Sequence, residues 1–70
     1  MPAMSSPKLI AARIKHYRRL RGLTQQALAV KAGVSLGWLG RLEVGLHDPR
    51  VSSLAKLAKA LGISVNKLLE

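Results

Sequence analysis

Apolar residues recur along this chain at helical spacing and are punctuated by glycine. Ile10, Ile14 and Tyr17 share one side of a first segment, and Leu54, Leu57, Ala58 and Leu61 follow the i, i+3, i+4, i+7 order of a buried helix face. No segment alternates apolar and polar residues as a half-buried strand does. Between the helical segments one local pattern occurs three times: glycine, an aliphatic residue, Thr or Ser, three residues, then Leu. It reads Gly22-Leu23-Thr24…Leu28, Gly33-Val34-Ser35…Leu39 and Gly62-Ile63-Ser64…Leu68. A glycine in the left-handed conformation ends the helix before it. The hydroxyl then caps the next helix by accepting from an unsatisfied backbone N–H, and the aliphatic residue packs on the Leu as a hydrophobic staple. Ser6-Pro7 is a further start signal, with Ser6 as cap and proline at the first helical position. The pattern predicts an all-α fold of five short helices, at roughly 7–21, 25–32, 36–44, 51–61 and 65–69. Residues 1–6 are expected to be a flexible N-terminus, and 7–70 the one domain.

The second and third helices are separated by only Gly33, Val34 and Ser35, which forces a sharp turn. Ala29 stands at the crossing point, where a small side chain lets the helices approach, and Leu28, Leu39 and Leu42 fill the space between them. A mid-helix alanine, a turn glycine, and apolar residues six and nine positions after that glycine together describe a helix-turn-helix between Thr24 and Val44. In such a motif the second helix is held out from the core for the major groove of DNA.

Charge points the same way. Twelve Lys and Arg against three acids give a net charge of +9 over 70 residues, a balance that suits a polyanionic partner. Arg13, Lys15, Arg18, Arg19 and Arg21 crowd into one short stretch, and no acid precedes Glu43. Like charges this close repel unless a partner neutralises them.

Other chemistry is thin. The chain has no cysteine, which excludes disulfides and Cys-ligated zinc. His16 and His47 have no partner at metal-ligand spacing. Three acids supply no acid–base pair, so neither an enzyme, a metal site nor a cofactor is expected. No run approaches the roughly 18 apolar residues of a membrane span, and the N-terminus lacks the apolar core of a secretory signal. A soluble, cytoplasmic protein is expected.

The stretch LTQQALAVKAGVSLGWLGRLEVG, followed by Pro49 and LAKLAKALGISVNKLL, resembles the Cro/phage-repressor, or xenobiotic-response-element, helix-turn-helix family over about residues 9 to 69. The resemblance implies a compact five-helix lambda-repressor-like domain that dimerises on operator DNA and regulates transcription. It implies base readout by Ser35, Leu36, Gly37 and Arg41. Gln25 matches the family's glutamine that contacts phosphate and buttresses the reading helix, and Arg18 and Glu43 match a pair joining the first and third helices. Gln26, Arg19, Trp38 and Arg50 are further expected at the DNA backbone, Trp38 with packing as a competing role. Val65 and Leu69 in the short fifth helix are expected at the dimer contact, having little core left to cover.

Some positions depart from the family pattern. Leu36 and Gly37 stand where Gln, Arg or Ser often supplies hydrogen-bonded readout, and Val44 and Leu46 where relatives often carry Asn, Arg or Lys. Ala27 replaces a frequent Glu that would complete a capping box with Thr24. Gly37 and Gly40 each cost the third helix about 1 kcal/mol relative to Ala. Leu36 can compensate by meeting thymine methyl groups, and Gly40 by letting the backbone lie closer to the groove floor. Two readings follow: a repressor binding an inverted-repeat operator as a homodimer, or an antitoxin-type module that uses the apolar Leu36, Trp38, Val44 and Leu46 on a protein partner such as a toxin or another regulator. A cationic helix on anionic membranes fits less well, because the junctions specify a globular fold.

Overall fold

A computed structural model describes residues 6–69. Five helices follow one another within them: α1 (Pro7–Leu20), α2 (Gln25–Ala32), α3 (Leu36–Glu43), α4 (Val51–Leu61) and α5 (Asn66–Leu69). No strand occurs among the described residues. Residues 1–5, which belong to the expected flexible N-terminus, and Glu70 lie outside them.

The starts of the first three helices follow from their caps. Ser6 Oγ accepts from the Leu9 N–H, Thr24 Oγ1 from Ala27 and Ser35 Oγ from Trp38, at 3.0–3.2 Å. Each bond satisfies one of the donors that a helix start leaves open. The repeated glycine junctions close the helices before them. Gly33 sits at φ 73°, and the next residue, Val34, donates its N–H back to the Ala29 carbonyl at 3.0 Å. Leu23 and Ile63 donate five residues back in the same way, to Arg18 and Ala58. Two helices stop one residue early, because Arg21 and Val44 take the cap positions, and α5 opens at Asn66 rather than Val65.

A fourth junction of this kind closes α3. Gly45 adopts φ 78°, and Leu46 donates to the Arg41 carbonyl at 3.1 Å. No Ser or Thr follows, so α4 does not start at once and the chain runs through an open loop to Pro49. Unlike the turn at Gly33, this one is crowded: a Cβ on Gly45 would stand 3.2 Å from Lys8 Cγ and 3.4 Å from its Cα. Gly45→Ala is expected to cost about 1–2 kcal/mol, the left-handed penalty of an L-residue. It should also lower the urea midpoint more than Gly33→Ala does, since nothing lies within 4 Å of a Cβ there. Equal midpoints would mean that α1 does not bear on this turn.

The core draws on every helix. Ile10 and Ile14 of α1, Leu28 and Ala29 of α2, Leu39 and Leu42 of α3, Leu57 and Leu61 of α4 and Leu68 of α5 are buried together. α3 packs against both α1 and α2, while α2 also packs on α4 and α1 on α5. α3 is thus fixed along its inner face by two neighbours. Val65 and Leu69 are half-buried against the same core. Little core was expected to be left for α5 to cover; instead α5 lies on α1 and α4, and both side chains pack against the core.

Candidate nucleic-acid interface

The helix period splits α3 into two faces. Leu39, Leu42 and Glu43 point inward and are buried, while Ser35, Leu36, Gly37, Arg41 and Val44 are exposed. Gly37 bears on Arg41 directly. A Cβ placed on Gly37 would lie 3.6 Å from an Arg41 η-nitrogen, so the guanidinium folds back along the helix toward its N-terminal end. That is an ordinary contact distance, so a small side chain at position 37 would pack against the guanidinium without displacing it. Gly40 is half-buried, and a Cβ there would meet nothing within 4 Å.

A polar knot holds this helix from behind. Glu43, with a side chain 1% exposed, accepts from Arg18 Nε at 2.7 Å, from an Arg18 η-nitrogen at 3.0 Å and from Gln25 Nε2 at 3.0 Å. The other Arg18 η-nitrogen donates to the Leu23 carbonyl at 2.9 Å. The carboxylate and the arginine it holds together join α1, the α1–α2 turn, the start of α2 and the end of α3. A bidentate arginine gives both energy and fixed geometry, and burial makes each member depend on the others. Gln25 was expected to buttress α3, and the partner it finds there is Glu43. The amide carries two N–H groups, so the bond to Glu43 leaves one for a phosphate.

The other expected contacts are scattered around this centre. Gln26 is exposed at the second position of α2, and Arg19 is exposed in the last turn of α1. Arg50 is the exposed N-cap of α4 and makes no side-chain cap bond. The basic cluster divides, because Arg18 serves the knot and Arg21 donates through Nε to the Leu61 carbonyl at 2.8 Å. Trp38 is half-buried against the core, its ring 5.2 Å from that of His47, whose Nε2 lies 3.3 Å from the Trp38 carbonyl. Packing thus occupies much of the indole. Exposed apolar residues gather near the α3–α4 loop: Val44, Leu46 and Val51 are 61–70% exposed. Among the described residues no three His, Cys, Asp or Glu are grouped to hold a metal, and no helix is long and apolar enough to cross a membrane.

These features define a helix-turn-helix domain with its second helix presented outward. The helix-turn-helix family model HTH_3 matches residues 14–68. The HTH-type transcriptional regulator y4dJ of Sinorhizobium fredii is 39% identical over 61 residues, covering 87% of this chain and 79% of that protein. The HTH-type transcriptional regulator SinR of Bacillus subtilis is 38% identical over 63 residues, and the match spans 89% of this chain but 57% of SinR. A crystal structure of SinR in complex with DNA aligns with TM-score 0.82 at 38% identity, over 84% of this chain and 95% of that one. The restriction-modification controller protein C.AhdI from Aeromonas hydrophila aligns with TM-score 0.86 at 29% identity, over 89% and 94%. The chain belongs to this helix-turn-helix family of transcriptional regulators.

Proposed function

We propose that this protein is a sequence-specific DNA-binding transcriptional regulator, a cytoplasmic repressor that binds an inverted-repeat operator as a homodimer. The observation that carries this reading is α3 itself. Its inner face is locked by Leu39, Leu42 and the Glu43 knot, and its outer face presents Leu36, Gly37 and Arg41 on a chain of net charge +9. The SinR–DNA complex, a solved relative of the same fold, supports it. In this reading residues 7–70 act as the one DNA-binding domain. Arg41 is bidentate to guanine, Leu36 meets thymine methyls, and Ser35 and Gly37 line the close approach. Gln25 and Gln26, Arg19, Arg50 at the open start of α4, and the exposed part of Trp38 hold the phosphates. No catalytic role is assigned: Glu43 is committed to Arg18 and Gln25, and Asp48 is the other acid among the described residues.

A dimer doubles the few base contacts one small domain can make. The exposed parts of Val65 and Leu69, with the loop before α5, form the proposed contact. Selection of binding sites from a randomised duplex library is expected to return inverted repeats whose half-site centres lie about 10 base pairs apart. An asymmetric site bound by one copy would contradict the dimer.

A second reading rests on Val44, Leu46 and Val51, whose exposure is high for large apolar side chains. It makes the protein an antitoxin-type module whose loop meets a protein partner. Nuclease treatment during affinity capture separates the two: partners held through DNA are lost, whereas a directly bound protein stays.

A further inference from the structure

Two adjoining hollows, of about 560 and 420 Å³, open where α1, α2 and α4 end. Lys31 and Lys59 line both, Lys56 and Arg21 one each, and the small apolar floor is Ala60 in both, with Ala32 added in the first. No residue of α3 lines either hollow, nor does any residue assigned above to DNA. Among the described residues no acid lines them either: Glu43 is buried on Arg18, and Asp48 lies in the α3–α4 loop.

Cations at helix C-termini have an ordinary explanation, since they complement the carbonyl ends. Three converging helix ends supply roughly −1.5 charge in total, about −0.5 each, and four cationic side chains exceed that. The last turns also satisfy carbonyls internally, through the glycine junctions at Gly22, Gly33 and Gly62. Arg21 is moreover held in place. Its Nε is bound to the Leu61 carbonyl, and a Cβ on Gly62 would lie 3.7 Å from one of its η-nitrogens. The groove therefore keeps a surplus of positive charge over a small apolar floor.

That combination selects its occupant. A duplex would meet the rim ammonium groups with its phosphates but leave the alanine floor uncovered. A protein segment carrying carboxylates and short aliphatic side chains satisfies both. We propose that this groove docks an acidic, partly aliphatic segment of a partner protein while α3 faces DNA, a surface independent of the reading helix.

The test titrates the nitrogen-15-labelled chain with an acetylated, amidated peptide in which the unit Glu-Glu-Leu repeats. A glutamine counterpart and a short DNA duplex are run beside it. The peptide is expected to move the amide signals of Lys31, Gly33, Lys56, Lys59 and Gly62 and to leave those of Leu36 to Arg41 in place. The glutamine peptide should move neither set. Lys56→Gln combined with Lys59→Gln replaces two exposed side chains. It should weaken the acidic peptide about tenfold, through two lost charge-assisted contacts, and duplex binding less than about threefold. The proposal is overturned if the acidic peptide moves the α3 signals, if it moves none, or if its affinity survives the double substitution. It is equally overturned if the glutamine peptide binds as well, or if the duplex moves the groove signals as strongly, which would make the groove a second nucleic-acid surface.

Discussion

Replacing Glu43 with alanine is expected to destabilise the domain by about 3–5 kcal/mol, the usual loss when one partner of a buried ion pair is removed. The reason lies in what remains. Arg18, with a side chain 11% exposed, keeps its bond to the Leu23 carbonyl but loses both contacts to the carboxylate, and Gln25 loses its acceptor. A chain of this size holds roughly 4–10 kcal/mol in total, so the variant should sit near the edge of unfolding. Denaturant melts of Glu43→Ala, Arg18→Ala and the double variant measure the coupling, and the double variant should lose clearly less than the sum of the singles. Additive losses would mean that the pair contributes no mutual stabilisation. Arg18→Met with Glu43→Leu should recover much of the stability, because paired apolar groups avoid the desolvation that lone charges suffer.

Leu39→Ala is expected to lower stability by about 3 kcal/mol, within the 2–5 kcal/mol found for large-to-small changes in packed cores. Leu39 is 0% exposed in the middle of α3, and its helix lies on both α1 and α2. Its truncation opens a cavity beneath α3 in a core that is otherwise closely packed. Leu36→Ala, at 45% exposure on the outer face, provides the contrast. It should change the urea midpoint little while weakening a selected site that presents thymine methyls. Equal stability losses for the two would contradict the division of α3 into an inner and an outer face.

The architecture was legible because it is written locally. Three glycine–aliphatic–hydroxyl repeats mark three helix junctions, and each repeat needs only neighbouring atoms to act. The junction at Gly45-Leu46 carries the same glycine–aliphatic pair without the hydroxyl, so the helix end was readable but the open loop after it was not marked as a junction. What escaped was nonlocal. Gln25 reaches Glu43 across 18 positions and Arg21 reaches the Leu61 carbonyl across 40, and no sequence spacing encodes either. The seat of Val65 and Leu69 escaped for the same reason, since the room beside α5 depends on where α1 passes. Arg41 folding over Gly37 was half visible: the spacing of four residues places them on adjacent turns, and only the path of the side chain shows that the guanidinium lies there.

The claim at the centre of this account is that α3 reads bases through Arg41 while the basic first helix grips the backbone. The measurement is affinity for a selected duplex and a scrambled one, over a series of salt concentrations, for the parent chain, Arg41→Ala and Arg19→Ala. Arg41→Ala is predicted to lose about 1–3 kcal/mol on the selected duplex and little on the scrambled one, since it removes a bidentate base contact. Arg19→Ala is predicted to weaken both duplexes alike and to reduce the salt slope by about one unit, as loss of a phosphate contact does. If Arg41→Ala lowers both affinities equally, the third helix does not read bases through that residue. The apolar surface around Leu36 and Val44 then becomes the working face of the protein, which contradicts the account.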